Sequence, residues 1–96
     1  MARAEWTQEA EQDLEEITLY IAVQAGRRDT ARKIYFEIKQ KCQLYAKQPM
    51  LGSPIPDLGD SYRSFIHKLW LIIYRPQDSG LEVLAVLDSS RDYAEF

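Results

Sequence analysis

The stretch that decides the fold is LEVLAVL, which runs from Leu81 to Leu87 and is followed at once by polar residues. A short run that is apolar except for Glu82, and that is bounded by Gly80 and Asp88, is typical of a buried β-strand. Alternate side chains of a regular strand point to opposite faces. One face is then expected to carry Leu81, Val83, Ala85 and Leu87, and the opposite face Leu84 and Val86.

The preceding strand candidate, Leu69–Arg75, is apolar on both faces as well. Two helices cover only one face of a small sheet, and an antiparallel sheet usually carries polar residues on its solvent-facing side. A second apolar face left bare would be larger than a monomer usually tolerates. We therefore expect either the C-terminal residues 93–96 or, as we favour, another protein chain to cover Trp70, Ile72, Tyr74, Leu84 and Val86.

The rest of the chain predicts two helices and two further strands. Thr7 is a plausible N-cap for a first helix that stops at Gly26, and Asp29 or Thr30 is expected to cap a second helix that ends before Pro49. A loop rich in proline and glycine then leads to the remaining strands. The strand candidates are Ala2–Trp6, Arg63–His67, Leu69–Arg75 and Leu81–Leu87.

This order, β-α-α-β-β-β, predicts an α+β fold. We expect an antiparallel helix hairpin packed on one face of a small, mostly antiparallel twisted sheet. With 96 residues, the chain has room for a single domain, residues 1–96.

The charges are segregated along the chain, whose net charge is −3. Residues 1–16 hold six acidic side chains against one base, whereas residues 27–47 hold seven bases against two acids. An acidic protein is a poor candidate for direct nucleic-acid binding. The segregation has two interpretations: two solvated helix faces that attract each other, or a basic helix that meets an acidic partner through residues such as Arg32 and Lys39.

The sequence offers little support for a metal, a cofactor or a nucleophile. His67 is the lone histidine, Cys42 is the lone cysteine and falls on a helix seam, and no glycine-rich phosphate loop is present. We predict no metal, no cofactor and no catalytic residue. The chain also has no signal-peptide pattern and no apolar run long enough for a membrane span, which favours the cytoplasm.

RNA cleavage requires cations that hold a phosphate and a group that moves a proton. Arg63 and Arg91 are expected at the same sheet edge, where they supply charge without a base. The alternative is that they form ion pairs with Asp60, Asp88 or Asp92.

Several motifs, in order along nearly the whole chain, resemble the RelE/ParE superfamily of bacterial toxins, and most closely its ParE branch. The first is W-T-x-x-A-x-x-D-L-x-x-I, from Trp6 to Ile17. The others are P-x-L-G at residues 49–52, Y-R-S-F at 62–65, I-I-Y-R-P at 72–76, and V-L-x-x-x-R-D at 86–92.

The resemblance implies a toxin of a type II toxin-antitoxin system that forms a hetero-oligomer with a ParD-like antitoxin and inhibits DNA gyrase without enzymatic activity of its own. Ribosome-dependent mRNA cleavage of the RelE type is the first alternative, although Leu71 aligns where RelE-type nucleases carry an arginine. A detoxified antitoxin-binding relative is the second, because Asp88 aligns where ParE proteins often carry a histidine. Candidate target contacts are Arg63, Arg75 and Arg91; candidate antitoxin contacts are Arg32, Lys39, Trp70, Ile72, Tyr74, Leu84 and Val86.

Overall fold

The computed structural model describes residues 2–89 and confirms the α+β fold. Two helices pack on one face of a five-stranded sheet whose strands lie in the order β1-β5-β4-β3-β2. The edge strand β1 runs parallel to β5, and the other neighbours are antiparallel. The elements are β1 (Arg3–Trp6), α1 (Gln8–Leu19), α2 (Arg28–Lys47), β2 (Ser53–Pro54), β3 (Arg63–His67), β4 (Trp70–Gln77) and β5 (Gly80–Asp88).

The helix boundaries follow from local hydrogen bonds. The Thr7 hydroxyl accepts from the Ala10 N–H at 3.1 Å, which confirms the predicted N-cap. After Leu19 the chain forms a π-helical turn, Tyr20–Gln24, and then reverses at Gly26, whose φ of 66° is in the left-handed region.

The predicted cap of the second helix is wrong. The Arg27 carbonyl already accepts from the Ala31 N–H at 3.0 Å, so α2 begins at Arg28. Asp29 and Thr30 therefore lie inside the first turn of the helix, where the carboxylate of Asp29 is favourably placed at the positive end of the helix dipole.

A β-bulge in β5 changes which side chains face the helices. Ile73 pairs with Ala85 but Tyr74 pairs with Val83, so Leu84 has no partner in β4. The extra residue reverses the alternation of side chains beyond it. Val86 consequently packs in the helix-side core with Leu81 and Val83, whereas Leu84, Ala85 and Leu87 belong to the cluster on the second face.

The face that was predicted to meet a partner is instead the face that the helices cover, and the bulge removes Leu84 from it. Ile72, Tyr74 and Val86 are buried beneath the protein's own helices, and Trp70 packs against the same core. Of the five side chains predicted to share an open face, only Leu84 lies away from the helices. Ile72, Tyr74 and Val86 are therefore not available as antitoxin contacts in the folded chain.

The second face is covered in part by the segment between β2 and β3, which the proline and glycine content predicts to be a loop. Ile55 is buried against Ile73 and Ala85, and Leu58 and Tyr62 pack onto the same cluster. Local chain between β2 and β3 thus shields this part of the sheet. Toward the β3–β4 turn the covering is incomplete, and Ile66 and Leu69 remain 58% and 67% exposed.

Helix α1 is fastened to the bulge by a carboxylate. Asp13 Oδ2 accepts from the Val86 N–H at 3.0 Å. Burial raises the pKa of Asp13; the Val86 hydrogen bond opposes this rise, and the nearby charges of Glu16 and Glu9 add to it. The folded protein thus holds the Asp13 proton more tightly than the unfolded chain does.

This pKa shift predicts a pH dependence. Because the folded-state pKa of Asp13 is raised above 3.8, its contribution to stability is complete below the unfolded pKa and is lost as the pH rises through the folded pKa. We expect the free energy of unfolding of the wild type, minus that of Asp13→Asn, to increase as the pH falls from neutral to about 4. Urea denaturation measures it, with the exposed Glu15→Gln as control; a difference that stays constant or falls would contradict this role.

Candidate partner-binding site

A buried tyrosine holds the loop that leaves α2. The Tyr74 ring is fully buried, and its hydroxyl donates to the Pro49 carbonyl at 2.6 Å and accepts from the Gly52 N–H at 2.9 Å. Burial is the main reason that the pKa of Tyr74 is raised, and the hydroxyl stays protonated as this pattern requires. The turn at residues 49–52 is therefore tied to the centre of the sheet.

Arg63 ties down the same turn from β3. Its Nη1 atom donates to the Gly52 carbonyl at 2.6 Å and to the Met50 carbonyl at 3.0 Å. A guanidinium that donates to two carbonyl oxygens of a turn stabilises that turn. Arg63, predicted as a target contact, is placed by the structure as a residue that positions the turn.

The fixed turn presents apolar side chains to solvent. Met50 and Leu51 are 66% and 64% exposed, which is unusual for two consecutive large apolar residues. Leu51 borders a groove of about 390 Å3 beside β3, which we call the β3-edge groove. It is lined by Tyr45, Leu51, Gly52, Ser53, Ser64, Phe65, Ile66 and Leu71.

The groove lies where the sheet edge is open. Strand β2 pairs only with Arg63 and Ser64, so no described residue pairs with the outer side of β3 from Phe65 to His67. The Ile66 carbonyl there accepts from Lys41 Nζ at 3.4 Å. An unpaired edge flanked by apolar side chains is suited to bind an extended peptide strand.

Basic side chains surround this edge. Glu37 accepts from His67 Nε2 at 2.9 Å and lies 3.2 Å from Lys68 Nζ. The hydrogen bond from His67, followed by that from Lys68, lowers the pKa of Glu37. Glu37 is thus already partnered by His67 and Lys68, while Lys41 adds positive charge at the strand edge.

The arginines predicted as target contacts do not form one site. Arg75, on β4, makes an exposed cross-strand ion pair with Glu82, with Nη2 and Oε1 2.6 Å apart. Arg63 pairs with Tyr74 and shares its face of the sheet, whereas Arg75, the next residue along β4, points to the opposite face. Arg91 lies outside the described residues.

The basic residues predicted on the second helix differ in their surroundings. Lys39 pairs with Glu11 of α1, and its Nζ lies 4.0 Å from the centre of the Trp6 ring. For Lys39, the interpretation that the acidic and basic helices attract each other within the chain is therefore the correct one. Arg32 is exposed in the groove between the two helices, near Glu15.

Reactive groups are scarce in the part of the chain that the structure describes. Cys42 is buried, and burial raises the pKa of its thiol to about 12, so it carries no thiolate near neutral pH. Residues 2–89 contain no cluster of three or more His, Cys, Asp or Glu side chains placed to hold a metal ion. Nor does any helix among them have the length and apolarity needed to cross a membrane.

The held turn was missed from the sequence, although a signal for it existed in P-x-L-G. A Cβ atom on Gly52 would lie 2.3 Å from the Tyr74 hydroxyl and 2.8 Å from the Ser64 carbonyl. Glycine is therefore needed at this position for space, not for backbone freedom. The motif marks the point where the turn approaches the sheet.

Comparison with known proteins finds a matching family and a similar solved structure. The family model described as the ParE toxin of the type II toxin-antitoxin system parDE matches residues 4–93. Among solved structures, a chain from the chromosomal ParDE toxin-antitoxin system of P. aeruginosa is similar, with a TM-score of 0.74 and 19% identity over 92% of this chain and 96% of that one. No curated protein sequence matches significantly.

The tyrosine contact leads to a stability prediction. Tyr74→Phe keeps the buried ring but leaves the Pro49 carbonyl and Gly52 N–H without their partner, and we expect a loss of about 1–3 kcal/mol in the free energy of unfolding. Chemical denaturation measures the loss. Tyr20→Phe, at a tyrosine that is 64% exposed, is the matched control. Equal stability of the two variants would refute the role assigned to the Tyr74 hydroxyl.

Proposed function

Because the chain belongs to the ParE toxin family of type II toxin-antitoxin systems, we propose that it inhibits DNA gyrase in the cytoplasm and is neutralised by a ParD-like antitoxin. The observation that carries this proposal is the family match over residues 4–93, which extends from β1 beyond β5. The similar P. aeruginosa chain comes from a ParDE system, which supports an antitoxin of the ParD kind.

The proposed mechanism is binding, not catalysis. A protein of net charge −3 is unsuited to grip DNA or RNA directly, so blocking a DNA enzyme by protein–protein contact fits its charge better. Arg75 and Arg91 remain our candidate target contacts. Arg63 acts with them only indirectly, through the turn that it positions.

We assign the antitoxin to the β3-edge groove. Leu51, Ile66 and Leu71 provide apolar contact, β3 provides an open backbone edge, and Lys41 provides positive charge. These features fit an acidic, amphipathic tail that is disordered when free and adds along the strand as it binds. Binding requires little ordering of the groove itself, because Tyr74 and Arg63 already hold its turn.

This assignment is tested by substituting the groove without disturbing the core. Ile66→Asp and Leu51→Asp place a charge at exposed positions and repel an acidic tail, so each should raise the dissociation constant of the antitoxin at least ~tenfold. Val23→Asp, at a residue that is 65% exposed at the far end of the helices, is the control. Calorimetric titration with the protein encoded in the neighbouring reading frame makes the measurement; unchanged affinity in both groove variants would reject the site.

The gyrase target is tested separately. Purified protein should inhibit supercoiling by gyrase, and adding the antitoxin should restore it. Arg75→Ala should weaken inhibition severalfold while antitoxin affinity stays the same, because Arg75 lies on the face away from the groove turn. Gyrase left fully active would refute the target, and cuts in translated mRNA would favour the ribonuclease alternative. Normal growth of cells that overproduce the free protein would favour a detoxified relative.

A further inference from the structure

Strand β1 forms the edge of the sheet on the side away from β2 and β3. It pairs with β5, and within residues 2–89 no strand pairs with its outer side. The Arg3 N–H donates to the Ser79 carbonyl at 2.7 Å. Because backbone groups of successive strand residues point to alternate sides, the Ala4 N–H and the Ala2 carbonyl face away from β5. Outward groups of this kind are a template for pairing with another chain.

The side chain of Gln43, on α2, occupies this outer edge. Its Oε1 atom accepts from the Ala4 N–H at 3.1 Å, and its Nε2 atom donates to the Ala2 carbonyl at 2.9 Å. One residue of a strand added parallel to β1 would make the same two hydrogen bonds with its own carbonyl and N–H. The carboxamide offers an acceptor and a donor as a peptide group does. Gln43 therefore takes the place of a strand residue.

Helix α2 does not hold the β1 and β3 edges equally. At β3, the Ile66 carbonyl accepts one long hydrogen bond, from Lys41 at 3.4 Å. At β1, Gln43 makes two hydrogen bonds of ordinary length. A side chain held by two such bonds is harder for another backbone to displace than one held by a single long bond. The β1 edge is thus closed more firmly than the β3 edge.

A bare β1 edge would match a second copy of the chain. Antiparallel pairing of a strand with its own copy has a two-fold axis, and here Ala4 of each protomer can form the central hydrogen-bonded pair. In that register Arg3 lies opposite Glu5 of the partner subunit, and the pair occurs twice. Both side chains are exposed, so opposite charges attract across the seam. Registers centred on Arg3 or on Glu5 would instead set like charges opposite each other.

We propose that Gln43 guards the β1 edge against self-association, and that a second copy of the chain pairs there once the carboxamide is removed. The surface for this pairing consists of the outward backbone groups of β1 and the alternating charges of Arg3 and Glu5. Gln43 keeps those backbone groups engaged within one chain. The guard is intramolecular, so its action does not depend on the antitoxin or on the gyrase target.

Removing the carboxamide tests the guard. Gln43→Ala keeps a residue that favours the helix and adds no large apolar group. In sedimentation velocity of the full chain over ~1–100 μM, its association constant should exceed that of the wild type at least ~tenfold, because backbone hydrogen bonds between copies replace those of Gln43. Gln40→Ala is the matched control. It makes the same change at an exposed position of α2 whose side chain forms no hydrogen bond within residues 2–89.

Hydrogen exchange of residues 2–7 shows whether the association uses this edge. At the lowest concentration the Ala4 N–H of Gln43→Ala should exchange about fivefold to tenfold faster than in the wild type, because it has lost its acceptor. At the highest concentration its exchange should slow again, as a carbonyl of the second copy replaces Gln43.

A charge reversal tests the register. Adding Arg3→Glu to Gln43→Ala sets two pairs of like charges across the seam and should lower the association constant about fivefold or more. Association of Gln43→Ala no stronger than that of the wild type would overturn the proposal. So would association that leaves residues 2–7 unprotected, or that Arg3→Glu does not weaken.

Discussion

The register shift between β4 and β5 determines which side chains of the sheet the helices cover. Leu84 has no partner opposite it, so Val86 turns toward the helices and joins Leu81 and Val83 in the core. The Asp13 carboxylate accepts a hydrogen bond from the Val86 N–H and fixes α1 to this point. The side chains that β5 contributes to the core, and those it leaves on the second face, depend on this local irregularity.

A core side chain of β4 also holds a turn at the surface. Tyr74 points beneath the helices, and its hydroxyl reaches through to the turn after α2. Because a fully buried hydroxyl must be hydrogen-bonded, the turn and the sheet stabilise one another. Leu51 is exposed as a result, beside an open strand edge with a basic rim. The proposed action by binding requires such preformed surfaces more than it requires reactive groups.

Local signals in the sequence predicted much of the fold. Helical spacing, the Thr7 cap and Gly26 report on contacts within a few residues, and the element order follows from them. Strict strand alternation failed at Leu84, because a bulge depends on pairing with another strand and on Asp13 from a helix. The cover supplied by Ile55 was missed for a similar reason, since irregular chain carries no periodicity that would show which face it packs against.

The candidate site was less predictable than the fold. The role of Arg63 depends on carbonyls that come near it only in the folded chain, and Lys39 was assigned to a partner although Glu11 and Trp6 already engage it. The most direct test of the antitoxin site at the β3-edge groove is hydrogen–deuterium exchange of the chain with and without its antitoxin. We expect new protection in peptides covering residues 48–54 and 64–71; protection confined to residues 15–35, with the β3 edge exchanging as in the free chain, would contradict it.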